Sequence, residues 1–253
     1  MLKKISIATT EVDLPIEKTT VEVVPFTARI EKELLTVNQK DHQAIANAIT
    51  NLIAACIQTD GFDNKRVSSL AATDALWIYL NLNAISIGDT KKLTLICDAQ
   101  IDDPESSQNK IKCGTSIPVT VKLSDVTVTD EMPPEYVELS DGTKIFFNFP
   151  TIKQQLNFDT NRKEDREYLF NQSTNLIADC VKTIVQGDTV LAGKDIPKKE
   201  LVEWIYDLQH YNFEALSGWF SKIPKPLLTV KYKCPSCGHE HTKKVEDVIS
   251  FFR

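Results

Sequence analysis

The sequence predicts an α+β fold of two tandem, similar helical/β-hairpin halves, and three observations predict it. Stretches alternating with period two and stretches with a 3.6-residue apolar period follow one another in the same order twice. Short identities recur at a nearly constant spacing. The cysteines then fall where a shared site would join the halves. The boundary is set at the Met132-Pro133-Pro134 break, giving an N-terminal repeat over 1–130 and a C-terminal repeat over 131–253.

Taken in order, residues 5–26 (ISIATTEVDLPIEKTTVEVVPF) mix β-branched and polar residues and read as extended strand broken at Pro15. A helix is expected over 27–39. From Asp41, a suitable N-cap, Ile45, Ile49, Leu52, Ile53 and Cys56 share one helical face up to Gln58. A further helix over about 68–86 carries Leu76, Trp77 and Leu80 and stops near Gly88. LTLIC then leads into Cys97, and TSIPVTVKL (115–123) returns as a strand. In the second half, Ser140-Asp141-Gly142 signals a hairpin turn. Helices are expected near 162–186, at 197–208 behind Pro197, and near 211–222. Strands flank KYKCPSCGHEH, and a short helix closes the chain.

The repeat is written in the residues. NLIAAC (51–56) returns as NLIADC (175–180), an offset of 124, and Pro25 returns as Pro150. Trp77-Ile78-Tyr79 returns as Trp204-Ile205-Tyr206. Leu169, Leu176, Ile177 and Cys180 take the register of Ile45, Leu52, Ile53 and Cys56, so Cys56 and Cys180 read as core.

The repeat also finds a partner for the single C-x-x-C, Cys234 to Cys237. Subtracting 124 from Cys237-Gly238 gives Cys113-Gly114, and Cys97 follows a strand as Cys234 does. Between them DAQIDDPESSQNKIK reads as a looped-out polar excursion. The expectation is a zinc-ribbon-like site with Cys97, Cys113, Cys234 and Cys237 on one structural zinc, since thiolates suit zinc and four of them close its tetrahedron. Two alternatives stay open: His239 or His241 replacing a thiol, or four cysteines packing without metal.

Composition excludes several classes. No apolar run reaches membrane-spanning length, and the basic start lacks the apolar region of a secretory signal. The reducing compartment this implies favours thiols or metal over disulfides. A net charge of −6 argues against a general nucleic-acid binder. Lys231, Lys233, Lys243 and Lys244 around the knuckle keep a nucleic-acid-binding zinc ribbon as an alternative. No Gly-rich phosphate loop, G-x-S-x-G or H-E-x-x-H occurs, and His42 and His210 have no nucleophile beside them in sequence. Asp102, Asp103 and Glu105 read as a solvated acidic loop. The chain reads as no enzyme.

VVPFTARIEKELL, the helix ending NLIAAC, LWIYLNLNAISIGD with its cysteine hairpin, and WFSKIPKPLLTVKYKCPSCGHEH…VEDVISFF resemble the baseplate hub assembly proteins of T-even-like phages over roughly 20–252. The expanded Cys97–Cys113 spacing departs from a tidy knuckle. The resemblance implies a chaperone-like assembly factor, binding other hub or tail proteins in the host bacterial cytoplasm, or a permanent component of the virion baseplate. A homo-oligomer is left open. Such a role needs an exposed apolar patch. Tyr211, Phe213, Trp219 and Phe220, with Phe251 and Phe252, are the candidates, unless they complete their own core.

Overall fold

The computed structural model describes residues 8–38, 41–103, 106–156 and 165–245. Helices and antiparallel strands are mixed, as an α+β class requires. The chain forms two compact units, Met1–Tyr79 with Asp130–Pro224, and Leu80–Thr129 with Lys225–Arg253. These do not follow the division at residue 130. Each unit takes one segment from either side of it.

In the first unit, β1 (Thr10–Asp13) and β2 (Thr20–Val23) pair as a hairpin that buries Val12, Val21 and Val23 on one face. Helices α1 (Ala28–Leu35), α2 (His42–Cys56) and α3 (Asn64–Ser68) follow, then α4 (Ala72–Ser86), within which the chain passes into the second unit. Asp74 in the first turn of α4 is buried and accepts the backbone N–H groups of Ile16 and Glu17 at 2.7 and 3.1 Å, which fixes the turn after β1.

The second unit opens with β3 (Thr90–Ile96), followed by β4 (Gln100–Asp103), β5 (Ser106–Lys112), β6 (Ser116–Lys122) and the short β7 (Thr127–Val128). The chain then re-enters the first unit with β8 (Tyr136–Glu138) and β9 (Lys144–Phe147). Next come α5 (Ile152–Leu156), α6 (Arg166–Cys180), β10 (Val181–Gln186), β11 (Thr189–Ala192), α7 (Lys198–Tyr206) and α8 (His210–Ser221). Its antiparallel sheet runs β11-β10-β9-β8. One face packs Val137, Ile145, Phe147 and Ile184 against Ile177, Leu201, Leu216 and Trp219. The helix expected near 162–186 therefore ends at Cys180, and the β-branched run Val181, Thr183, Ile184, Val185 becomes a central strand.

Several local features recur at a spacing of 124. Asp41 and Asp165 cap α2 and α6, accepting from the N–H groups of Ala44 and Tyr168. Thr50 and Thr174 donate to the carbonyls of Ala46 and Phe170. Val24 N–H bonds Cys56 O at 2.9 Å, and Asn148 N–H bonds Cys180 O at 2.8 Å. Val23 pairs with Ile57 as Phe147 pairs with Val181. Cys56 and Cys180 are both buried.

In the second unit β3 pairs with β6 from Thr90↔Lys122 to Ile96↔Ser116, and β12 (Pro226–Lys233) pairs with β13 (Glu240–Val245) and β7. The expected loop between Cys97 and Cys113 is a hairpin, β4 against β5. Polar residues there gave no apolar alternation to read, yet its backbone groups are paired by the ladder. The expected closing helix, with Phe251 and Phe252, lies outside the described residues, as does Glu105.

Candidate metal centre

The ends of three hairpins, β3–β6, β4–β5 and β12–β13, meet at the small core of the second unit. Cys97, Ile117 and Cys234 are buried there, with Ala99, Cys113, Val119, Tyr232 and Cys237 packed around them. Both arms make the same turn. Cys234 N–H bonds His239 O at 2.8 Å and Gly238 N–H bonds Cys234 O at 2.9 Å; Cys97 N–H bonds Thr115 O at 2.9 Å and Gly114 N–H bonds Cys97 O at 3.0 Å. Gly114 and Gly238 have φ of +67° and +73°, a left-handed conformation that needs glycine. In the first arm Cys113 N–H bonds Ala99 O at 2.9 Å, closing off the β4–β5 excursion so that Cys113 returns beside Cys97.

The sulfurs of Cys97, Cys113, Cys234 and Cys237 all lie within 4.8 Å of one another, with Cys97–Cys237 at 3.6 Å and Cys113–Cys234 at 3.8 Å. Tetrahedral ligands at the usual zinc–sulfur length stand ~3.8 Å apart. A disulfide needs about 2.05 Å, and all six cysteines are free thiols. The four can hold a metal ion.

Their electrostatics differ. Burial pushes the Cys97 thiol up to about 12. The backbone N–H of Cys237, helped by that of Ser236, draws the Cys234 thiol down to about 6. Hydrogen bonding to the hydroxyl and backbone N–H of Thr115 lowers Cys113 as well. The Cys237 thiol is raised, so each arm pairs one thiol that ionises readily with one that would have to lose its proton to a bound ion. Four ligands leave no open position for a substrate or water.

Of the two histidines weighed as ligands, His239 has an exposed side chain and offers its backbone carbonyl. His241 reaches Cys97 Sγ with Nε2 at 3.1 Å, but is not one of the mutually close ligand atoms. The lysines near the knuckle are partly engaged. Lys243 donates to Ile96 O and lies 3.9 Å from Asp98, and Lys233 lies 3.6 Å from Glu240.

The aromatic candidates separate. Trp219 is 3% exposed and donates its indole N–H to Pro134 O at 2.7 Å, so it is core. Phe213 and Phe220 pack against the same core, while Tyr211 is 56% exposed. Phe170 and Tyr206, which sequence reading passed over, are exposed and stack at 5.9 Å.

A family model described as T4 bacteriophage base plate protein matches residues 7–253. The chain belongs to that family. Membership in the base plate family is consistent with a structural or assembly role. This base plate protein also shares 37% identity over 57 residues with an isoleucine–tRNA ligase of Aquifex pyrophilus, 22% of the chain and 11% of the ligase. The chain thus spans about a tenth of that enzyme's length. No solved structure matches. Among the described residues no helix is long and apolar enough to cross a membrane.

Proposed function

We propose that the chain is a non-enzymatic, chaperone-like assembly factor of the phage baseplate hub, acting on other hub or tail proteins in the host cytoplasm. The family match across residues 7–253 carries this reading. The four-thiol group supports a structural zinc, because a closed tetrahedral site ties chain segments together and catalyses nothing. The hydrogen bonds recurring 124 residues apart support a duplicated sequence, each copy contributing one hairpin and two thiols to the zinc ribbon.

A second reading makes the same protein a permanent part of the baseplate. Mass spectrometry of purified virions separates them: an assembly factor is absent from mature particles, and stoichiometric recovery there overturns that role. The nucleic-acid-binding alternative requires steeply salt-dependent DNA binding that is lost on charge reversal at Lys231, Lys233, Lys243 and Lys244. The partial pairing of Lys233 and Lys243 weighs against it.

A further inference from the structure

The two arms of the cysteine group turn alike, but they do not supply their sulfurs with the same hydrogen bonds. The Cys234 sulfur faces the backbone N–H groups of Ser236 and Cys237, the ordinary provision of a tight knuckle. The Cys97 sulfur faces the backbone N–H of Ala99. The Cys113 N–H, which stands where Cys237 stands in the other arm, is spent on Ala99 O to close the inserted hairpin. The insertion has therefore cost Cys97 one donor.

A side chain stands in that place. His241 Nε2 lies 3.1 Å from Cys97 Sγ, and the His241 side chain is 7% exposed. Its other nitrogen, Nδ1, lies 3.4 Å from Asp98 Oδ1. Its ring lies flat on Tyr232, its cross-strand partner, at 4.8 Å and 14°. Strand pairing, stacking and a carboxylate thus hold one imidazole against one sulfur, from outside the four-ligand group.

We propose that His241 is a positioning residue of the metal centre, donating Nε2–H to the Cys97 thiolate in place of the backbone donor the insertion removed, with Asp98 orienting the ring. The inference rests on the metal reading of the four thiols. A metal-bound thiolate keeps lone-pair density that invites exchange, and an N–H bond draws on that density and fixes the sulfur's direction. The long arm is then held as firmly as the short one. Such outer-shell partners typically carry about 10–100-fold in metal affinity.

The test uses the full chain loaded with cobalt(II) for spectra and with zinc for release to a chromophoric chelator. His241→Ala should move the sulfur-to-cobalt charge-transfer band to longer wavelength and release zinc about tenfold faster. His241→Gln, which keeps a side-chain N–H, should restore most of both, and Asp98→Asn should fall between wild type and His241→Ala. An unshifted band with wild-type release in His241→Ala overturns the proposal. So do His241→Ala and His241→Gln proteins that release zinc equally fast, since that reports lost packing alone. A wild-type chain without tetrahedral tetrathiolate cobalt bands overturns the metal reading itself, an outcome the variants do not mimic.

Discussion

Replacing Cys97 by Ser should damage the protein about as much as replacing Cys237, although they lie 140 residues apart. Both sulfurs belong to one group within 4.8 Å, embedded in a core of only a few apolar side chains. A structural zinc contributes roughly 10 kcal/mol or more of apparent binding energy. Shared over four thiolates, one ligand carries about 2.5 kcal/mol, or roughly a 60-fold loss of affinity at 1.4 kcal/mol per decade. Because metal affinity is folding energy here, the same loss should appear in urea unfolding of the zinc-loaded protein. Zinc content by atomic emission, with competition against a chelator, measures the first quantity, and denaturation followed by strand circular dichroism measures the second. A Cys97→Ser protein that keeps one zinc at wild-type affinity while Cys237→Ser loses it refutes the shared site.

The affinity should also depend on pH with a definite sign. Protons compete for the thiolates, so binding strengthens as pH rises through neutrality and weakens most steeply below about 6, where the Cys234 thiol also protonates. Burial pushes Cys56 and Cys180 up to about 11 and about 12, so neither should react with a disulfide reagent in the native chain. Chelation should leave at most four reactive thiols, with Cys97 the slowest because burial raises it too, and a count above four before unfolding contradicts the core assignment. Asp41→Ala and Asp165→Ala should each cost about 1 kcal/mol in thermal or urea melts, the usual worth of an N-cap. Unequal losses would show that the two helices are not equivalent. Gly193→Ala should cost about 3 kcal/mol, since its Cβ would sit 2.1 Å from the Val181 carbonyl oxygen, and an unchanged melting temperature would refute that close approach.

Much of this fold was legible because its signals are local. Asp41 before an apolar period and Pro197 before another mark helix starts within two residues of those observed. The four cysteines were legible for a different reason: the spacing of 124 carried Cys237-Gly238 back to Cys113-Gly114, and both glycines have the left-handed turn such a knuckle needs. What stayed hidden depends on tertiary partners. The β4–β5 hairpin has polar residues on both faces, so nothing marks its period. His241 sits near the knuckle in sequence, but its approach to Cys97 depends on β12 and β13 pairing Tyr232 with His241. Trp219 and Phe213 stay open between partner surface and core in the sequence because helical spacing does not say which face meets a sheet.

The interleaving of the two compact units bears on how the protein is made. A chain leaving the ribosome in order presents Cys97 and Cys113 more than a hundred residues before Cys234 and Cys237 exist. Throughout that interval the early thiols lack the two sulfurs they meet in the folded chain, and the β3–β6 hairpin lacks the strands that share its core. Completion of this unit therefore waits until residue 237 has been made, and any product truncated before residue 234 carries Cys97 and Cys113 without their sulfur neighbours.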